Sequence, residues 1–170
     1  MSTPKWLTEF TARVENLRDD AFLYNIRPKA EKSNLTKRGA VLILLNDGER
    51  GPEVLITLRS EGLRSHSGQP SFPGGAIENS ESAIDAALRE SFEEVGLVRE
   101  SVEVLAQLPE LFIPPSNFHV TPILSFWREP HPLAPEQSEE VVRAELISFD
   151  DLANPANRIM LRHRSGFRGP

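Results

Sequence analysis

Short strand-like apolar runs on either side of one acid-bearing helical stretch place this 170-residue chain in the α/β or α+β class. Two further observations bound it. A hydrophobic content of 39% supplies one sizeable core. No internal repeat, low-complexity tract or long linker divides residues 1–170, so a single domain is expected. Leu7, Phe10, Val14 and Leu17 recur at helical spacing behind a Thr3-Pro4 start signal and predict an N-terminal helix. Residues 18–37 are polar and irregular around Pro28. Residues 40–45 read as a buried strand, 46–52 as a turn and 54–59 as the returning arm of a hairpin. Next comes a helix whose stripe of Ile84, Ala87, Leu88, Ser91 and Val95 is small or apolar throughout. Asn79 and Ser80 are its N-cap candidates, and Gly96 stands where a C′ glycine ends a helix. Residues 102–108, 119–127 and 144–149 are further strand candidates, and Asp150-Asp151-Leu152 opens a final helix.

Composition excludes several classes. The chain has no cysteine, which removes disulfides, thiolate catalysis and zinc–thiolate sites and fits a reducing cytoplasm. No apolar run approaches the 18 residues or so of a membrane helix, and the N-terminus lacks a signal-peptide core, so no membrane partner is expected. A net charge of −6 argues against a general nucleic-acid binder. Residues 157–170 carry Arg158, Arg162, Arg164, Arg168 and His163 with no acid. They read first as a solvated tail. The competing reading is a patch that meets an anionic substrate or the second subunit of a homodimer.

The chemistry concentrates in residues 75–97. Glu90, Glu93 and Glu94 stand at i, i+3 and i+4, so on a helix they face one way. Like charges at that spacing cost a few tenths of a kcal/mol per pair, and a cluster of hard oxygen ligands calls for a cation such as Mg2+ or Mn2+. A solvated acidic surface is the bland alternative. It leaves unexplained Arg89 among the acids and Gly74-Gly75 just upstream.

Gly75, Glu81, Arg89, Glu90, Glu93, Glu94, Gly96 and Leu97 fall on the pattern G-x5-E-x7-R-E-U-x-E-E-x-G-U, where U is a bulky aliphatic residue. The chain thereby resembles the Nudix hydrolase superfamily. Seven fixed residue types at about 6% each coincide by chance with a probability on the order of 10^-9. Ser91 departs from the pattern at the first U, a mild loss of core packing. Upstream, Leu55-Ile56-Thr57-Leu58-Arg59-Ser60, Arg64, Gly68 and Phe72-Pro73-Gly74-Gly75 resemble the signature of the coenzyme A diphosphatase branch, with Ile56 in place of leucine. The upstream signature spans 55–75 and the box 75–97.

The resemblance implies a Nudix α/β/α sandwich, a mixed sheet between helices, and metal-dependent cleavage of the coenzyme A diphosphate to 3′,5′-ADP and 4′-phosphopantetheine. It implies metal ligation by Glu90, Glu94, Glu93 and the backbone of Gly75. Arg89 would orient its glutamate neighbours, and Glu81 would be structural at the helix start, where negative charge suits the dipole. For the general base, family members use either a box glutamate or a later loop carboxylate; Glu140 of the Glu139-Glu140 pair resembles the latter. A substrate with a diphosphate and a 3′-phosphate asks for cations, and Arg59 and Arg64, beside the Gly74-Gly75 turn, suit that role as planar forks, with a salt bridge at the strand edge as the plain alternative for Arg59. His66 reads as a loop surface residue, and the 112–119 segment with Phe118 as a wall of the pocket. The partner expected is this small molecule. Two alternatives stay open: a Nudix hydrolase of another dinucleotide such as ADP-ribose or NADH, and a non-catalytic nucleotide-binding regulator. The second ranks last because such modules lose box carboxylates and this chain keeps them.

Overall fold

A computed structural model describes residues 3–16, 37–60, 68–113, 117–135 and 140–157, with the backbone of 161–162 and 168–169. Helix α1 (Lys5–Asn16) begins at the expected signal: the Pro4 carbonyl accepts the N–H groups of Leu7 and Thr8. Leu7 and Val14 are buried and Phe10 packs beside them, while Leu17 lies outside the described residues.

Strand β1 (Lys37–Gly48) runs well past the six residues expected of it and pairs with β2 (Gly51–Arg59) down to Gly48 opposite Gly51. The predicted turn over 46–52 therefore shrinks to Glu49-Arg50. Side chains hold the polar end extended: Asn46 Nδ2 donates to Glu53 Oε2 at 2.9 Å, and Trp6 Nε1 donates to Asp47 Oδ1 at 2.7 Å. Gly51, at φ +109°, takes the left-handed conformation that so tight a loop needs.

Two short strands follow, β3 (Pro70–Ser71) on β2 and β4 (Gly74–Ala76) on β1. Gly74-Gly75, read from sequence as a turn, is thus a strand, its backbone pressed against β1. Helix α2 (Ala83–Val95) is capped by Ser82, whose Oγ accepts the Asp85 N–H at 3.1 Å. Neither Asn79 nor Ser80 is the cap. Asn79 sits at φ +49° in a turn closed by Glu81 N–H to the Glu78 carbonyl, which delays the helix start. At the other end Gly96 behaves as expected: at φ +70° it donates to Phe92 O, and the next N–H, Leu97, to Ser91 O.

Strands β5 (Val102–Gln107), β6 (Leu111–Ile113), β7 (Phe118–Trp127) and β8 (Val141–Ser148) complete the sheet. The five-residue helix α3 (Phe149–Ala153), capped by Ser148, follows directly. Strand order is β3-β2-β1-β7-β5, with β4 added to β1, β6 to β7 and β8 to β2. Only the β1–β7 pairing among these is parallel, so the sheet is mixed. On one face Ala40, Leu42, Leu44 and Leu55 pack with Ala86, Ala87, Leu88 and Val95 of α2. On the other Leu45, Val54, Leu124 and Phe126 pack with Leu7 and Val14 of α1. Each fully buried aliphatic side chain contributes about 1.5–3 kcal/mol. A mixed sheet between helices is the sandwich expected.

The sheet divides along one edge of β1. Its partner there is β4 at residues 39–41 and β2 at residues 45–48. Where the partners change, the site described next opens.

Candidate active site

Burial of one stripe of α2 fixes how deeply each acid on the helix sits. Ala87, Ser91 and Val95 are fully buried. Ser91, the departure from the box pattern, leaves no orphan hydroxyl, because its Oγ donates to the Ala87 carbonyl at 2.7 Å. With that stripe anchored, the Glu94 side chain is 6% exposed, Glu90 18% and Glu93 55%. The three carboxylates are graded rather than equivalent.

Glu94 reaches across to β4 and β2. Its Oε2 accepts the Gly74 N–H at 3.0 Å and its Oε1 accepts from Arg59 Nη1 at 3.3 Å. Burial pushes its carboxyl up to about 7; the Gly74 N–H and Arg59 oppose this, while Glu90 and Glu140 add repulsion. Burial also raises Glu90, against the pull of Arg89 and with repulsion from Glu93 and Glu140. Glu90, Glu94 and Glu140 therefore feel one another's charge.

The two glycines make this approach feasible. A Cβ on Gly75 would lie 2.4 Å from the Glu90 carboxyl carbon, so the carboxylate rests on bare backbone. Gly74, at φ +152°, has no room for a side chain against Ala40 O and the Val41 backbone. That backbone turns its N–H toward Glu94.

Arg89 is enclosed by its own motif. Its Nε and Nη2 grip Glu81 at 3.3 and 2.9 Å, and Nη1 donates to Glu90 at 3.0 Å and to Glu93 at 3.2 Å. Nη2 also donates to the Ala76 carbonyl. Glu81 additionally accepts the Glu78 N–H at 2.8 Å, and Arg89 draws its carboxyl below the usual range. The ring of contacts ties the turn before α2, the helix and β4 together.

Arg59 is delivered by an irregularity. The β2–β8 register shifts between Leu58 (opposite Arg143) and Arg59 (opposite Val141), and Ser60 N–H donates to the Glu140 carbonyl at 2.8 Å. Arg59 Nη2 then reaches Glu140 Oε2 at 2.9 Å, so one guanidinium spans Glu94 and Glu140. A salt bridge at Arg59 is the plain alternative its strand-edge position offers; that it spans these two carboxylates depends on the bulge. Thr57 of the upstream signature carries no sequence signal of its own; it is buried and donates to the Ser71 carbonyl, holding β3 in place.

These groups border a cleft of about 760 Å³ lined by Arg59, Gly74, Gly75, Glu90 and Glu140, with Lys37, Phe72, Ile113 and Phe118 on its other walls. Ile113 and Phe118 come from the segment expected to form a pocket wall. Arg64, His66 and Glu139 lie outside the described residues, as do the side chains of the basic 158–170 stretch. Among the described residues no three acidic or histidine side chains form a ready-made metal cage; the two arginines take up the carboxylates. The donors nevertheless suit a hard divalent cation. All are oxygens, one carboxylate is buried and proton-loving, and another packs on side-chain-free backbone.

A mixed-sheet sandwich whose acid-bearing helix meets a glycine strand at an open cleft defines an α/β protein with a carboxylate-rich site. The NUDIX domain pattern matches residues 36–165, and the chain belongs to that family. It is 42% identical over 100 residues to a Nudix hydrolase of Citrobacter koseri called NudL and uncharacterised, covering 58% of this chain and 52% of that one. It is 38% identical over 119 residues to Nudix hydrolase 3 of Caenorhabditis elegans, covering 69% and 50% respectively. The chain thus spans about half the length of these relatives. The crystal structure of RenU, a Nudix hydrolase from M. Smegmatis, superposes with a TM-score of 0.59 at 24% identity over 69% of this chain and 73% of that one, a likeness of fold. No helix among the described residues is long and apolar enough to cross a membrane.

Proposed function

We propose that the protein hydrolyses the diphosphate bond of coenzyme A, giving 3′,5′-ADP and 4′-phosphopantetheine, with Mg2+ or Mn2+ at Glu90 and Glu94. The observation that carries the hydrolase reading is the seating of these two carboxylates on the bare backbone of Gly74-Gly75 at the edge of the cleft. Glu93 and the Gly75 carbonyl would complete the ligand set. Bound there, the metal would polarise the diphosphate and lower the pKa of a water. Arg89 fixes the rotamers of Glu90 and Glu93 and is a positioning residue. Glu140 lines the same cleft, paired with Arg59, and is the proposed general base or additional ligand. The choice of coenzyme A rests on the upstream signature over residues 55–75, which delivers Arg59 to the site and includes Arg64. The cysteine-free chain suits work in the cytoplasm.

Mass spectrometry of products formed with Mg2+ in 18O-labelled water tests this. The expected result is 3′,5′-ADP and 4′-phosphopantetheine, one of them carrying the label, with activity abolished by chelator and restored by Mg2+ or Mn2+. Faster turnover of ADP-ribose or NADH than of coenzyme A would keep the hydrolase and overturn the substrate. Persistent turnover in excess chelator would overturn the metal site.

A further inference from the structure

One cation in the cleft is not accounted for by the chemistry above. Arg59 has both guanidinium branches engaged by Glu94 and Glu140. Lys37, at the first position of β1, also lines the cleft, and it forms no ion pair with a carboxylate of the described residues. Its ammonium lies 5.8 Å from the centroid of the Phe118 ring, its cross-strand partner on parallel β7. That ring is fixed from below: a Cβ on Gly39 would come within 3.1 Å of it and 2.8 Å of the Gly75 carbonyl, so ring and strand are in close contact. Lys37 is exposed, so its ammonium beside the aromatic face stands open to an incoming anion.

Its position sets what kind of anion. Val41 is the residue opposite Gly74, where Glu94 is anchored, and Lys37 lies four residues earlier on the same strand. At about 3.3 Å per residue the two points are about 13 Å apart along β1. The lysine side chain covers part of that backbone spacing, and a single sugar linking two phosphates can bridge the remainder. Between them stand Gly39, Gly75 and the apolar wall of Ile113, Phe118 and Val120.

We propose that Lys37, backed by Phe118, forms a second anion subsite that takes a phosphomonoester on the sugar of a nucleotide whose 5′-phosphate end lies at Gly74-Gly75. The inference rests on the nucleotide reading of the cleft and adds to it a residue that discriminates between nucleotides. Arg59 and Lys37 then divide the work: one serves the carboxylates at the cleavage end, the other the remote phosphate.

Calorimetric binding of 3′,5′-ADP and 5′-AMP in Mg2+ tests it without any bond being cleaved. The wild-type protein should bind 3′,5′-ADP about tenfold or more tighter than 5′-AMP, the worth of one charge-assisted contact. Lys37→Gln should reduce that preference to about twofold, and Lys37→Arg should keep most of it. Equal affinity of the wild type for both nucleotides, an equal loss on both in Lys37→Gln, or no binding of either would overturn the subsite. The two proposals fail separately. A preference for 3′,5′-ADP that depends on Lys37 stands even if coenzyme A is not hydrolysed. Hydrolysis of coenzyme A with Lys37→Gln slowing it no more than dephospho-coenzyme A would refute the subsite alone.

Discussion

Arg89 and Arg59 both hold site glutamates, yet they do so in opposite ways. Arg89 binds within its own motif: Glu81 is 8 residues away, Glu93 is 4, and the Ala76 carbonyl is 13. Arg59 binds across the fold, to Glu94 over 35 residues and to Glu140 over 81. The first arginine is a local clamp that forms with the helix and its preceding turn. The second is a tertiary bridge that exists only once β2, β8 and α2 have assembled. Local clamping should show up in stability, and bridging in how the site handles its ligands.

The largest effect expected comes from the carboxylates these arginines hold. Glu90→Gln and Glu94→Gln should each lower kcat by about 100-fold or more at saturating Mg2+ while the circular dichroism spectrum is retained. Near-normal turnover in either variant would remove that residue from the metal site. Next comes the comparison itself. Arg89→Met leaves Glu81, Glu90 and Glu93 together without a cation and should cost about 2 kcal/mol, or about 6 °C in Tm. Arg59→Met should cost about half that, because Glu94 keeps the Gly74 N–H and Glu140 is 57% exposed. Equal losses would mean the bridge is as structural as the clamp.

An effect of the same order follows from the buried carboxyl of Glu94. Its folded-state value of about 7 lies above the ordinary 4.5, so folding favours the protonated form. The stability this confers is fully present below about 4.5 and is lost as pH rises through about 7. Without metal, Tm should therefore drop by about 7 °C between pH 5 and pH 8, and Glu94→Gln should flatten that slope. Mg2+ affinity should run the other way, rising toward pH 7 and then levelling, since the metal displaces the proton. A Tm that rises over the same interval in the wild type, with no change in Glu94→Gln, would place the proton elsewhere. The smallest effect belongs to Glu140→Gln, which should change stability by under about 0.5 kcal/mol, as exposed ion pairs do. A large Tm loss there would turn a proposed catalytic group into a structural one.

What could be read from sequence follows the same division between local and distant. Helix α2 was legible because its stripe, its C′ glycine and its acids repeat at one period, and each element depends on neighbours three or four residues away. Its N-cap was misplaced by two or three residues, because Asn79 adopts a left-handed turn conformation that no periodicity announces. Strands β3, β4 and β6 have two or three residues each, too short for alternation to register. Gly74-Gly75 looked like a turn because strand glycines are rare where no group must approach closely; here Glu90 does. The pair of carboxylates that Arg59 spans was beyond reach for a related reason. It needs a one-residue slip between β2 and β8, and a slip of that kind leaves no mark in the composition of either strand.

The partners of β1 have a consequence for how the chain comes to exist in the cell. Its parallel neighbour is 81 residues downstream, as Lys37 opposite Phe118 shows, and Arg59 waits the same interval for Glu140. Each of these closures carries the entropic cost of a long loop. During synthesis at about 5–20 residues per second, β1 and β2 are on hand for several seconds before β7 and β8 emerge. Over that interval β1 offers an unpaired, apolar edge, the kind of surface that recruits wrong partners. Expression yield of this protein should therefore respond more to conditions that protect nascent chains than its equilibrium stability alone would suggest.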